Sequence, residues 1–210
     1  MPLEQLTALL VFAFAAAVTP GPNNTMLLAS GVNYGFRRTL PHLLGINLGF
    51  PLMVLAIGLG LAQVFAAEPR LYTILKVVSI AYLLWLAWKI GSATPKTPDA
   101  PSTSDDGHES QPLTFLQAAA FQWVNPKGWI MGIGAFAAYA IPGRAVLSAI
   151  IISLAYVVVG FPSSAIWAGF GVGMRRFLGT PARVRAFNIT MALLLVASLA
   201  PVAADLIRAI

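Results

Sequence analysis

The sequence predicts an all-α membrane protein: six transmembrane helices in two inverted three-helix repeats, with helices one and four broken at proline motifs. Three observations carry this expectation. The chain is 58% hydrophobic and only 10% charged, with a mean hydropathy of +0.79, whereas soluble domains carry roughly 25% charged residues. Six apolar runs reach the 18 or so residues that a bilayer-spanning helix needs. Two of those runs are interrupted by similar proline motifs, Val18-Thr19-Pro20-Gly21-Pro22-Asn23-Asn24 and Val124-Asn125-Pro126-Lys127-Gly128.

The first run, Leu3–Tyr34, contains the first motif. Proline removes a backbone donor and clashes with the preceding turn, so the helix is expected to break there. Ala15-Ala16-Ala17 resembles a cleavage site, but Glu4 is the only charge before Arg37. A signal peptide starts positive, so this run is read as a span. The second run, Leu40–Ala66, carries Gly45 and Gly49, whose spacing suits close helix packing. Pro51 is expected to kink it. His42, just inside, is read as a satisfied interfacial residue rather than a metal ligand. The third run is Leu71–Ile90.

Residues 92–112 are rich in Pro, Ser, Thr and Asp and are read as a flexible cytoplasmic linker. Asp99, Asp105, Asp106 and Glu109 there form a solvated run, and His108 is expected to be inert. This divides the chain into a first repeat (residues 1–91), the linker and a second repeat (residues 113–210). The second repeat opens with Leu113–Ile141, which holds the second motif and the Gly128/Gly132 pair. Ala145–Gly173 follows, with Pro162 as an expected kink, and then Val184–Ile207.

Charge placement orients the spans. Arg37, Arg38, Lys89, Lys96, Arg175, Arg176, Arg183 and Arg185 flank one side, and Arg70, Lys76, Arg144 and Arg208 the other, eight against four. The richer side is cytoplasmic. Both termini then lie outside. Three spans per half is an odd number, so the second half enters from the opposite side.

Aligning Pro20 with Pro126 pairs Thr19 with Asn125 and Gly21 with Lys127, and each break is followed about 17 residues later by arginine. Irregular backbone at membrane depth is tolerated only where protein or a watery cavity satisfies it. Paired breaks in two halves point to a transporter's substrate site. The half-helix amino ends favour a carboxylate. Asn23 or Asn24 sits where an N-cap would. Lys127 is the one charge within the middle of a run, at an insertion cost of at least roughly 2.5 kcal/mol. It is expected to face the substrate path, the alternative being a lysine that snorkels to the surface. Helical spacing places Trp123 and Lys127 on one face. The candidate substrate-binding residues are Thr19, Pro20, Gly21, Pro22, Asn23, Asn24, Asn47, Gln122, Asn125, Pro126 and Lys127.

Several classes are set aside. The chain has no cysteine and only two histidines, so no thiolate site, histidine cluster or serine-histidine-aspartate triad is expected. Gly169-x-Gly171-x-Gly173 follows an apolar helix rather than a strand, so it is not a nucleotide fingerprint. The net charge of +6 lies between spans, which reflects topology rather than nucleic-acid binding. No catalytic residue, cofactor or metal is expected. The expected partners are a small amino-acid substrate and the lipid bilayer, and a homo-oligomer remains open.

The two motifs resemble the signatures of the lysine-exporter superfamily, of the homoserine/threonine-exporter type. Gly35-Phe36-Arg37-Arg38 followed by Gly45 and Gly49, and the stretch Ala81–Ile90, are similar to it as well. The resemblance covers the chain outside the linker. It implies a small inner-membrane amino-acid exporter with six spans and two inverted halves, driven by the proton-motive force. Asn23-Asn24 and Gly35-Phe36-Arg37 resemble the branch that exports cysteine and O-acetylserine. One departure is Gly128, where the family often carries alanine. The expected function is therefore export of small, mostly neutral amino acids or derivatives. The alternatives are a channel-like or scaffold membrane subunit and, further off, a membrane-embedded enzyme.

Overall fold

A computed structural model describes residues 1–93 and 111–208. The core of the expected linker, with His108 and its four acidic residues, lies outside the described residues. All regular structure among the described residues is helical. The order is α1 (Leu3–Val18), α2 (Pro22–Ala56), a π-helical turn (Ile57–Leu61), α3 (Ala62–Ala67), α4 (Pro69–Gly91), α5 (Phe115–Gln122), α6 (Pro126–Tyr139), α7 (Ala145–Arg175), α8 (Pro181–Ala197) and α9 (Ala200–Arg208).

Local sequence sets these limits. Proline opens α2, α4, α6 and α8, where its missing N–H would have had no helical partner anyway. Thr114 and Gln117 form a reciprocal capping box at the start of α5. Gly35 interrupts α2 with φ 78° and ψ 169°, a left-handed region where a Cβ would be strained. Gly60 breaks the π turn in the same way, at φ 121°. The expected kinks at Pro51 and Pro162 are not seen as backbone breaks: helical dihedrals run through both prolines. The break inside α2 lies at Gly35, between the first and second expected spans, where glycine adopts the required φ without penalty.

Four helical stretches are long and apolar enough to cross a membrane: Pro22–Ala67, Arg70–Gly91, Ala145–Arg175 and Pro181–Arg208. Leu3–Val18 is a shorter apolar helix. Large apolar side chains such as Leu48, Leu52, Ile130, Leu154 and Leu193 point outward, which suits a lipid surround and not water.

The centre of the bundle is α2 against α7, with α1 also on α7 and α5 on α2, while α4 pairs with α8. Small residues make these approaches possible. A Cβ on Gly45 or Gly49 would run into the α5 segment at Phe115 and Ala118–Ala119, so the expected packing role of this pair holds. Gly31 and Gly171 meet so closely that a Cβ on either would strike the other helix's backbone carbonyl, at Ala168 and Leu28. One buried cluster surrounds Leu9, Met53, Trp129, Ile152 and Tyr156. Another joins Leu27, Leu83, Phe121 and Leu195.

Candidate functional site

The two proline motifs meet at one place. The chain leaves α1 at Thr19 with ψ 145° and passes Gly21 fully extended, then re-enters helix at Pro22. The other motif leaves α5 after Gln122 and starts α6 at Pro126. Lys127, in the first turn of α6, reaches across to the carboxyl end of α1. Its Nζ donates to Thr19 O at 2.7 Å, Thr19 Oγ1 at 2.8 Å and Pro20 O at 3.3 Å. Gly21 and Lys127, aligned with each other in the sequence, are in contact: a Cβ on Gly21 would lie 2.7 Å from Lys127 Cδ.

The last carbonyls of α1 would lack helical partners, and each finds a donor. The Thr19 amide serves Ala15 O and the Thr19 hydroxyl serves Ala16 O. Trp167 Nε1 serves Val18 O at 3.2 Å. Asn24 Nδ2 serves both Ala17 O (2.7 Å) and Thr19 O (2.8 Å). Lys127 takes the remainder, and its positive charge suits the negative end of the α1 dipole. The break is thus satisfied by protein groups, as lipid requires.

This corrects two expectations. Neither Asn23 nor Asn24 caps the amino end of α2: the N-cap is Gly21, without a side-chain bond. Asn24 instead turns back to the end of α1. Nor do Trp123 and Lys127 share a helical face, because residues 123–125 lie in the break. Trp123 O accepts from Trp129 Nε1 at 2.9 Å.

Asn23 and Gln122 form a reciprocal amide pair, at 2.8 and 3.1 Å, that ties the start of α2 to the end of α5. Asn47 donates to Leu43 O and accepts from Ser164 Oγ at 3.4 Å. Beside the meeting point lies a cavity of about 540 Å³, counting its mouth. Gly21, Asn23, Asn24, Asn47, Asn125 and Lys127 line it; Thr19, Pro20, Pro22, Gln122 and Pro126 do not. Thr19 and Pro20 contribute through their bonds to Lys127, and Gln122 through Asn23. Pro22 and Pro126 set the first turns of α2 and α6.

The cavity also takes in residues that the sequence reading did not single out: Phe50 and Tyr156 as apolar wall, and Ser163 and Ser164 on α7. The Ser163-Ser164 pair beside Pro162 is a polar interruption of an apolar run and was the available signal. Two lining atoms are buried without a hydrogen-bond partner, Asn125 Oδ1 and Ser163 Oγ. Among the described lining residues Lys127 is the cation, and none is a carboxylate. The site therefore offers one positive charge, one free carbonyl-type acceptor and one free hydroxyl, inside apolar walls.

A profile of the LysE type translocator family matches residues 14–208. The chain belongs to that family. The cysteine/O-acetylserine efflux proteins of Escherichia coli (strain K12) and Shigella sonnei (strain Ss046) are each 32% identical to it over 193 residues, covering 91% of this chain and 93% of theirs. No solved structure matches. The resemblance drawn from the two motifs is thereby established for the family. This translocator is a membrane transporter and not an enzyme.

Proposed function

We propose that the chain exports small, mostly neutral amino acids or their derivatives across the bacterial inner membrane, driven by the proton-motive force. The observation that carries this is the cavity at the two broken helices. Lys127 holds the substrate carboxylate, exchanging its longest bond, to Pro20 O at 3.3 Å, for a carboxylate oxygen. Asn125 Oδ1 receives the α-ammonium group, and Ser163 Oγ meets a polar side chain. Apolar walls at Phe50 and Tyr156 limit its size. A second cation on the substrate finds no partner here, so lysine and arginine are poor substrates. The named activity of the relatives, efflux of cysteine and O-acetylserine, agrees with such a site.

The proposed architecture is six spans in two inverted halves working by alternating access. The 46 residues of Pro22–Ala67 extend to about 69 Å at 1.5 Å per residue, over twice a hydrocarbon core. The backbone break at Gly35 divides them, so α1 with the first part of α2 forms one broken span and the rest forms another. The contact of Gly21 with its sequence counterpart Lys127 supports a two-fold relation between the halves, since related residues meet only near such an axis. Both termini then lie outside.

Counterflow in proteoliposomes tests the reading. Serine, cysteine and O-acetylserine should exchange saturably, and lysine should not. Faster exchange of lysine, or flux that never saturates, would contradict it.

A further inference from the structure

A second cavity, of about 430 Å³, lies where α4 ends and the chain leads into α5. Ser30, Asn33, His42, Lys89 and Gln111 are among its lining residues, and it shares none with the cavity at the breaks. His42 is 2% exposed, and neither Nδ1 nor Nε2 has a hydrogen-bond partner. The expectation of a satisfied interfacial histidine is therefore corrected. A neutral imidazole carries one donor and one acceptor. Leaving both unmet in the interior is costly, and such a group calls for a reason.

Two of the polar neighbours, Ser30 and Asn33, are engaged elsewhere. Ser30 Oγ bonds Thr39 Oγ1 at 2.8 Å, and Thr39 Oγ1 also reaches Gly35 O. Asn33 pairs reciprocally with Asn188 and donates to Ala29 O. Lys89 sits over the Trp85 ring at 5.6 Å and brings the cavity a positive charge.

We infer that this cavity is a carboxylate-binding site, in which Lys89 supplies the charge and His42 a neutral N–H donor. The second ring nitrogen accepts from a proton-bearing group of the ligand. Its position, on the side the charge asymmetry assigns to the cytoplasm, makes it a loading site for the amino acid before it reaches Lys127. The identity of the ligand rests on the exporter reading above.

His42 is one of two histidines, so His108→Gln leaves a single imidazole to observe. The full-length chain with that change, carrying ¹³C-labelled histidine, is placed in phosphatidylcholine nanodiscs and titrated with L-serine or with ethanolamine, which lacks the carboxylate. Serine should move the His42 resonance saturably, and ethanolamine should not. Lys89→Met should raise the midpoint about tenfold or more, the loss of one charge-assisted contact. Lys127→Met should leave it within about twofold, since the two sites share no residue and distant changes act independently. A resonance that serine leaves in place, that ethanolamine moves equally, or that ignores Lys89→Met overturns the inference. A second arm adds phosphatidylglycerol. If that lipid moves the resonance and abolishes the serine response, the cavity holds a lipid phosphate and the loading site is refuted. Counterflow by the native chain separates the two readings. Exchange with a silent His42 removes only this inference; a responsive His42 without exchange removes the exporter reading and leaves the carboxylate site.

Discussion

Gly21→Ala is a sensitive probe of how the two breaks are joined. The backbone at Gly21 is extended, with φ 179°, a conformation alanine adopts freely. The added methyl would instead meet the lysine stem, 2.7 Å from Lys127 Cδ and 3.1 Å from Nζ. Carbon atoms prefer about 3.5–4.0 Å, so the stem must swing away by about an ångström. That draws Nζ off Thr19 and Pro20. Charge-assisted bonds are worth about 1.5–3 kcal/mol, less here because Thr19 and Pro20 are exposed. A total of about 1–2 kcal/mol corresponds to about a five- to thirtyfold loss of the bound geometry. The assay is thermal unfolding of purified protein as a double-mutant cycle, with export measured beside it. Gly21→Ala should lower the midpoint in the native background. In a Lys127→Ala background it should lower nothing, and a rise of about 0.4–1 kcal/mol is expected from the reduced freedom of the unfolded chain. Additive costs in the two backgrounds, or native export by Gly21→Ala, would refute the account of the contact.

Two further outcomes follow from the packing and the charge pattern. The chain has no native cysteine, so single cysteines can be placed freely: those at Ser104 and Ala182 should label only from the cytoplasm, and one at Gly143 only from outside. Labelling of Ser104 and Gly143 from one side would defeat the inverted halves. Gly31→Val should cost about 1–3 kcal/mol of stability by overpacking, because its Cβ would strike Ala168 O; an unchanged unfolding midpoint would mean the α2–α7 crossing is loose.

Much of this was legible in the sequence because lipid imposes strong rules. Apolar runs mark where helix forms, although four helical stretches among the described residues, not six, are long and apolar enough to span, and proline marks the breaks at Thr19–Gly21 and Trp123–Asn125. The weakness lay in short-range geometry. Position alone puts Asn23 or Asn24 at the N-cap of α2, but Asn24 bonds the orphan carbonyls of α1 at Ala17 and Thr19 and Asn23 pairs with Gln122. Helical spacing puts Trp123 on the face of Lys127 only if the helix is continuous, and it is broken at residues 123–125. Pro51 and Pro162 keep helical dihedrals, while the break in α2 falls at Gly35, since only a residue without Cβ takes φ 78° cheaply. The sequence does not reveal that Ser30 pairs with Thr39 and Asn33 with Asn188, which is why an unpartnered His42 is not legible in it. Ser163 lies in an apolar run, and the cavity it lines forms only when α7 packs on α2.

The central claim is that Lys127 holds the carboxylate common to every substrate while closing the end of α1. Lys127→Met keeps the length and removes the charge, so counterflow of radiolabelled serine by this variant tests the claim most directly. Insertion and unfolding midpoint are checked in the same preparation. The account predicts that exchange falls to the level of empty liposomes, with the inserted protein still folded through the Asn24, Trp167 and Asn23–Gln122 bonds. Exchange at the native rate would make Lys127 a structural strut only and would contradict the carboxylate site.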